Sequence, residues 1–168
     1  MNIHFKMTQQ LRAEMLADLA RPHEFAFERV GFISCQAART PTCLLLLAQS
    51  FHPVADEDYL PDESVGAMMG TDAIRKALEL AYNTGVAMAH VHCHDHKGKT
   101  WFSGIDLKES AKFIPDFFKV CPNVPHTAIV FSRDSAAGLC WTAKTGRPQV
   151  INKISVVGNP LEVIWAAD

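Results

Sequence analysis

The stretch that decides the fold is AHVHCHDHKGKTWFSGID, residues 89–106. Four histidines stand at alternate positions in it, and they follow an apolar run that begins at Val86. Residues two apart on a β-strand point to the same face, so His90, His92 and His94 are predicted to share one side of a strand. Two imidazoles at this spacing are close enough to bind one small ion, for which zinc is the common choice.

A catalytic metal site also needs a third ligand, and Asp106 is the candidate. It stands twelve residues after His94, at the predicted N-terminus of the next helix. Closure of the intervening loop would bring its carboxylate back to the histidines. Two histidines, one carboxylate and an open fourth position are typical of catalytic rather than structural zinc. A histidine-rich loop with no steady occupant is the alternative that spacing alone leaves open.

Composition narrows the class of protein. The chain has 168 residues, of which 48% are hydrophobic and 20% are charged, and this predicts a single globular domain over residues 1–168. The formal net charge of -2 gives no general argument for a nucleic-acid or membrane partner. The five cysteines form no CxxC pair and the N-terminus lacks a secretory signal, so we expect reduced thiols and a cytoplasmic location.

Apolar periodicity and turn residues predict alternating helices and strands. We expect Pro115 to kink the last helix or to split it in two. The mixed order predicts an α/β sandwich around one mixed sheet. The predicted elements are a strand at 3–7, a helix from the capping residue Thr8 to Arg21, strands at 25–37 and 42–51, a loop at 53–66, a helix at 71–83 with Ile74, Leu78 and Ala81 on its buried face, the histidine strand at 86–94, a helix at 106–118, and a meander of strands at 126–132, 138–143 and 150–157.

The histidine strand and the residues after it carry a recognisable motif. His92–His94, eight further residues and then Ser103–Asp106 resemble the JAMM signature of JAB/MPN-domain metallopeptidases. That family also has a glutamate far upstream on a strand, followed three residues later by glycine and a hydrophobic pair, and Glu28–Ile33 matches this pattern. The resemblance covers about residues 1–157, and its specificity comes from the coincidence of two separated motifs.

The motif departs from the family pattern in three places. The spacer before the serine is eight residues instead of the usual seven, Asp95 replaces a common proline, and a cysteine replaces the Ser or Thr between the ligands. Shifted ligand pairs, either His90 with His92 or His94 with His96, therefore stay open. The pair His92 and His94 needs the smallest change in length and is our assignment. His90 is then expected behind the ligands or on the substrate side.

The resemblance implies a fold and a role for each motif residue. The fold is an α/β single-domain α-β-α sandwich around a mixed, partly curled sheet, of the MPN and cytidine-deaminase kind. Zinc (Zn2+) held by His92, His94 and Asp106 would make a water molecule acidic enough to ionise near neutral pH. Glu28 would act as the general acid and base, and Ser103 would help to hold the oxyanion.

The resemblance also implies a substrate class. Active members that look like this pattern cleave isopeptide or peptide bonds after the C-terminal glycine of ubiquitin or a ubiquitin-like modifier. We therefore expect a zinc metallopeptidase whose partners are a ubiquitin-like protein or its conjugates. Further expected partners are the E1- and E2-like enzymes of the same bacterial conjugation system. Some systems of this kind belong to antiphage operons. The alternatives are release of a small amino acid from a sulfur-carrier protein, a non-catalytic MPN scaffold, and a metal-binding protein without hydrolytic activity.

Overall fold

Helices and strands follow one another in a mixed order along the chain. A computed structural model describes residues 1–24, 26–62, 64–158 and 162–165. Its elements are β1 (Asn2–Thr8), α1 (Gln9–Leu19), β2 (Val30–Arg39), β3 (Cys43–Pro53), α2 (Thr71–Thr84), β4 (Ala87–Cys93), α3 (Gly104–Val120), β5 (His126–Phe131), β6 (Ala136–Trp141), β7 (Gln149–Val150), β8 (Lys153–Val157) and β9 (Glu162–Trp165).

These strands form one mixed, curled sheet in the order β7-β6-β5-β4-β2-β3-β1-β8-β9. β1 runs parallel to both β3 and β8, and β4 runs parallel to β5. The other neighbours are antiparallel. The pairing of β2 with β3 shifts register between Ser34 and Cys35, an irregularity of the kind that increases local twist.

The two faces of the sheet pack against different helices. α1 buries Leu11, Met15 and Leu19 over one face. α2 and α3 cover the opposite face, where Ala77 and Phe117 join a second cluster of buried apolar residues. The three layers confirm the predicted α-β-α sandwich.

Local sequence signals set the bounds of the first helix. The Oγ1 atom of Thr8 accepts a hydrogen bond from the N–H of Leu11 at 3.1 Å, so Thr8 is the N-cap of α1 as predicted. Such a cap satisfies one of the N–H groups that the first turn of a helix leaves without an intrahelical partner.

The buried face of α2 differs from the prediction. The fully buried residues are Ala73, Ala77 and Ala81, whereas Ile74 and Leu78 are only partly buried at the edge of that face. The small alanine side chains allow the helix to approach the sheet closely. As predicted, Gly85 follows the end of the helix, and its φ of 67° lies in the left-handed region that favours glycine.

Pro115 does not split α3, so that part of the prediction is wrong. The helix runs without a break from Gly104 to Val120. Proline inside a helix costs about 3 kcal/mol, but buried side chains lie on both sides of this one, among them Ile114 and Phe117. Neither α3 nor any other helix within the described residues is long and apolar enough to cross a membrane.

Two predicted strands have different bounds in the structure. β2 begins at Val30 instead of residue 25, and Phe25 itself lies outside the described residues. The predicted strand at 150–157 is divided between β7, which pairs with β6, and β8, which pairs with β1 at the other side of the sheet. The last strands are therefore not a simple meander, and β9 was not predicted at all.

Candidate metal centre

β4 presents its histidines on the face that α2 and α3 cover. His90 and His92 are buried there, and the ring of His90 lies 5.0 Å from that of Phe113 in α3. Val91, between the histidines, belongs to the core under α1. This alternation follows from the pleat of a strand. His94 comes directly after β4, but its N–H donates to a carbonyl of β5 at 2.9 Å, which keeps it in line with the strand.

A reciprocal cap at the start of α3 fixes the carboxylate of Asp106. The Ser103 Oγ accepts the N–H of Asp106 at 3.1 Å, and the Ser103 N–H donates to Asp106 Oδ2 at 2.7 Å. This is a capping box in which an aspartate takes the acidic position. The cap that starts the helix therefore also orients the predicted ligand.

The structure brings the three predicted ligands together. Asp106 Oδ2 lies 3.5 Å from His92 Nε2 and 3.6 Å from His94 Nε2. Two ligands at zinc bond lengths of about 2.0–2.1 Å in a tetrahedral arrangement stand roughly 3.3 Å apart. The distances from the carboxylate oxygen to the two histidine nitrogens are thus close to the separation that one zinc ion requires. Nitrogen and oxygen donors of this kind are also ones that zinc accepts.

His92 gives a second indication that the site fits a cation. Only 3% of its surface is exposed, and neither ring nitrogen has a hydrogen-bond partner among the residues that the structure describes. A buried polar atom left unsatisfied costs about 1–3 kcal/mol. An ion held between His92 Nε2 and Asp106 would give one of these nitrogens a partner.

Thr100 orients the second histidine. Its Oγ1 lies 3.3 Å from His94 Nδ1, and this leaves His94 Nε2 facing Asp106. Histidine ligands usually form such a bond through the ring nitrogen that does not bind the metal. Thr100 was missed in the sequence analysis, because nothing in the sequence distinguishes a threonine of this loop from its neighbours.

Glu28 lies beside the cluster, but the expectation that it lies on a strand is wrong. β2 begins two residues after it. The N–H groups of Phe27 and Glu28 instead donate to the carbonyl of Gly66, at 2.8 and 2.9 Å. Gly66 belongs to the segment 65–69, which we call the strap. Glu28 Oε1 lies 3.9 Å from His94 Nε2, so its carboxylate is next to the predicted ligands.

Two carboxylates can therefore supply the third ligand. Ligand atoms of Glu28, His92 and His94 all lie within 4.8 Å of one another, so this set is also able to hold an ion. Asp106 lies nearer to both histidines than Glu28 lies to His94, and the helix cap holds it in place. The geometry thus favours Asp106 as the ligand and leaves Glu28 beside the site.

The surroundings of Asp106 keep it ionised. Burial raises the pKa of this carboxyl, but the His92 imidazole and the hydrogen bonds from Ser103 outweigh burial and hold the pKa well below its usual range. Metal ligands must be deprotonated to bind, and Asp106 meets this condition at neutral pH. Burial also lowers the pKa of the deeper His90 to about 3.

The shifted histidine pairs gain less support from the geometry. His96 is exposed, and its Nδ1 lies 3.1 Å from the carbonyl of Lys97. His90 lies one strand step behind His92, with 5.9 Å between their ring centroids. Within the described residues, the histidines that contact the carboxylates of Asp106 and Glu28 are His92 and His94.

A cavity of about 350 Å³ opens beside these side chains. Glu28, His92, His94, Ser103 and Asp106 all border it. The strap, Ile74 of α2 and the first half of α3 complete its walls. The hydroxyl of Ser103 accepts a helix N–H, so its own proton is free to be donated towards the cavity.

Gly66 is the second residue that the sequence analysis missed. A Cβ atom built at this position would lie only 2.6 Å from Glu28 Oε2. The absence of a side chain in the strap thus makes room for the Glu28 carboxylate. No sequence signal marks this glycine, because it stands in an irregular acidic loop where glycine is common.

Similarity to known proteins adds no assignment for this chain. No family model matches the sequence, and no curated protein matches it either. The functional proposals therefore depend on the side chains around the cavity and on the motif that resembles the JAMM signature.

Proposed function

We propose that this protein is a zinc-dependent peptidase that cleaves an isopeptide or peptide bond at the C-terminal end of a ubiquitin-like modifier. The observation that supports the chemistry is the convergence of His92, His94, Asp106 and Glu28 at the wall of one cavity. The substrate class comes from the motif resemblance, as do the E1- and E2-like partners. Zinc is proposed because two imidazoles and one carboxylate leave the fourth position open.

The side chains divide the work of hydrolysis between them. His92, His94 and Asp106 would hold the ion. A bound zinc ion is a Lewis acid, and it can lower the pKa of water from 15.7 to about 7. Glu28, whose Oε1 lies 3.9 Å from His94 Nε2, accepts the proton that the attacking water loses. Ser103 Oγ donates to the substrate carbonyl oxygen as negative charge develops on it.

The proton held by Glu28 completes the reaction. The carbonyl carbon gains an oxygen from water, the C–N bond breaks, and the amine leaves with the proton from Glu28 Oε1. A general acid and base of this kind contributes about 10²–10⁴-fold to the rate. Loss of Glu28 should therefore lower turnover by about this factor without removing the metal.

The second candidate is a metal-binding protein without hydrolytic activity. It is favoured by the set of Glu28, His92 and His94, whose atoms lie within 4.8 Å of one another. If Glu28 is a ligand, it cannot serve as the free base. The two candidates therefore differ in what Glu28 does.

Three variants separate these candidates. Glu28→Gln, Asp106→Asn and a control, Glu79→Gln on the exposed face of α2, are loaded with zinc and analysed for metal content. Turnover is measured on a panel of ubiquitin-like and sulfur-carrier proteins that bear a C-terminal aminocoumarin amide. The peptidase should keep stoichiometric zinc in Glu28→Gln but lose at least about 10²-fold in turnover. Asp106→Asn should lose zinc, and the control should change neither.

The opposite pattern contradicts the proposal. If Glu28→Gln loses zinc while Asp106→Asn keeps it, Glu28 is a ligand and the mechanism above is wrong. If the zinc-loaded wild type cleaves no member of the panel, the modifier peptidase is wrong. Cleavage of the sulfur-carrier substrates alone would identify the protein as a peptidase that acts on sulfur-carrier proteins instead.

A further inference from the structure

The loop that follows β4 and begins with His94 packs against the turn between β5 and β6. We call residues 94–100 the histidine loop and residues 132–135 the hairpin turn. The N–H of Gly98 in the loop donates to Asp134 Oδ1 in the turn at 2.7 Å. The two segments are therefore in direct contact, although these two residues stand 36 positions apart in the chain.

An exposed ion pair also joins the two segments, but it is too weak to fix the loop. Arg133 Nη2 lies 2.7 Å from Asp95 Oδ1, and 56% and 83% of these two side chains are exposed. Water and salt screen an ion pair in such a position, so it contributes little to stability. The position of the histidine loop therefore depends mainly on its hydrogen bonds to the hairpin turn.

The hydroxyl of Ser135 makes two of these hydrogen bonds. Its Oγ accepts the N–H of Thr100 at 3.0 Å and donates to the carbonyl of Gly98 at 2.7 Å. The Oγ of Ser132, a fully buried residue of the same turn, lies 3.0 Å from it. A serine hydroxyl has one donor and two acceptor positions, and these three contacts use all of them when Ser132 donates. The Ser135 hydroxyl is thus held in one orientation.

Thr100 transmits this constraint to the second predicted metal ligand. Only 3% of Thr100 is exposed, and its backbone N–H is bound to Ser135. Threonine is branched at Cβ, so few side-chain rotamers are open to it once its backbone is fixed. Its Oγ1 lies 3.3 Å from His94 Nδ1. A continuous chain of contacts therefore runs from Ser135 through Thr100 to the ring of His94.

His94 needs such a support more than His92 does. His92 lies within β4, where β2 and β5 pair with it on either side, and it is buried. His94 comes after the last residue of β4, and 19% of its side chain is exposed. A histidine that binds a metal through one ring nitrogen is usually oriented by a hydrogen bond at the other. For His94 that bond comes from the histidine loop itself, so the loop must be held in place.

We infer that Ser135 is a positioning residue of the metal site, which acts through Thr100 to set the orientation of the His94 ring before an ion binds. This inference rests on the zinc site of the proposed function, but not on peptidase activity or on the substrate. Ser135 is neither a ligand nor a catalytic residue, because it acts through another side chain.

The first part of the test measures zinc affinity by competition with a chelator. Loss of a partner behind a metal ligand typically costs 10–100-fold in affinity, and Ser135 acts one contact further away, so Ser135→Ala should weaken zinc binding about tenfold. Ser135→Thr, which keeps the hydroxyl, should restore most of the affinity. In a Thr100→Val background, Ser135→Ala should cause less than about a twofold further loss, because the contact through which it acts is already gone.

Thr40→Ala is the matched control for a weakened hairpin. Thr40 Oγ1 accepts the N–H of Cys43 at 3.0 Å in the turn between β2 and β3, so this variant also removes a hydroxyl that holds a turn. Thermal unfolding of the metal-free proteins should show a loss of stability for both Ser135→Ala and Thr40→Ala. Zinc affinity should fall for Ser135→Ala and stay unchanged for Thr40→Ala.

The second part of the test follows the His94 ring without metal. Zinc binding through Nε2 requires the ring proton on Nδ1, where Thr100 Oγ1 can accept it. The ¹⁵N resonances of the ring report which nitrogen carries the proton. Ser135→Ala and Thr100→Val should both shift these resonances towards a mixture of the two tautomers, whereas Thr40→Ala should not.

Three results would overturn the inference. They are unchanged zinc affinity and ring resonances in Ser135→Ala, an equal loss of zinc affinity in Thr40→Ala, and a full further loss in the Thr100→Val background. Failure of the proposed function looks different. If the wild type binds zinc but cleaves no modifier, the peptidase is wrong and the zinc affinities still decide the role of Ser135. If the wild type binds no zinc, the metal site is wrong, and the resonances of the His94 ring decide whether Ser135 positions it.

Discussion

Replacement of Gly66 by alanine tests whether the strap positions the carboxylate of Glu28, the proposed general base. The added Cβ would lie 2.6 Å from Glu28 Oε2 and 2.8 Å from Glu28 Cδ. Ordinary contact begins at 3.4 Å, so the carboxylate must move by about 0.8 Å. A misplacement of about 1 Å at a reacting group costs on the order of 10²-fold in rate. We therefore expect kcat/KM to fall roughly 10–100-fold.

The fold should tolerate this change. Among the described residues the glycines with positive φ are Gly85 and Gly98, so Gly66 has a backbone conformation that alanine can adopt. The Gly66 carbonyl still accepts both strap hydrogen bonds, and the atoms that must move are the free end of the Glu28 side chain. Stability should change by less than about 1 kcal/mol, and zinc content should not change.

The assay compares Gly66→Ala with Gly146→Ala, a matched change in a turn where the new Cβ meets only ordinary contacts. Aminocoumarin release, zinc content and thermal unfolding are measured for both. In a Glu28→Gln background, Gly66→Ala should cause no further loss, because the group that it displaces is already inactive. Full activity of Gly66→Ala would refute the reasoning. The reasoning would also be refuted if Gly66→Ala lowered kcat/KM as much in the Glu28→Gln background as in the wild type.

Three further predictions concern the site and its scaffold. Thr100→Val should weaken zinc binding about 10–100-fold, because His94 Nδ1 loses its hydrogen-bond partner. The zinc affinity is measured by competition with a chelator. An unchanged affinity would mean that Thr100 does not orient the ring. Ser103→Ala should lower the free energy of unfolding by about 1 kcal/mol, because α3 loses its N-cap. It should also lower kcat about 10²-fold, because the substrate carbonyl oxygen loses a donor. A loss of stability with kcat retained would mean that Ser103 only caps the helix. Burial lowers the pKa of His126 to about 4, whereas the pKa of an unburied histidine is about 6.5. Between pH 4 and pH 6.5 the unfolded chain therefore binds a proton that the folded chain does not. The free energy of unfolding should therefore be fully retained above pH 6.5 and fall by up to about 3 kcal/mol as the pH is lowered towards 4. Urea unfolding of wild type and His126→Gln should differ in this pH dependence. Parallel profiles would show that the pKa of His126 is the same in the folded and unfolded states and would contradict the prediction.

The parts of the fold that sequence predicted best depend on local signals. Thr8 caps α1, and the alternation along β4 places His90 and His92 on one face, because caps and strand periodicity involve residues a few positions apart. The order of helices and strands followed from the same kind of signal. The helical pattern that follows Asp106 also placed this residue correctly at the beginning of α3.

Features that depend on distant pairing were missed or misplaced. β8 pairs with β1, some 150 positions away in the chain, and no local pattern shows which side of the sheet it joins. The start of β2 was placed too early because the residues before Val30 are apolar enough for a strand, yet they bond to the strap. For the same reason Gly66 and Thr100 could not be linked to the site before the chain was seen folded.

The central claim is that His92, His94 and Asp106 converge on one zinc ion with the carboxylate of Glu28 beside it and not bound to it. A crystal structure of the zinc-loaded protein, with anomalous scattering measured at the zinc edge, tests this most directly. We predict one peak about 2.0–2.1 Å from the Nε2 atoms of both histidines and about 2.0–2.2 Å from an oxygen of Asp106. Zinc bound by Glu28 in place of Asp106, or found away from this histidine pair, would contradict the account.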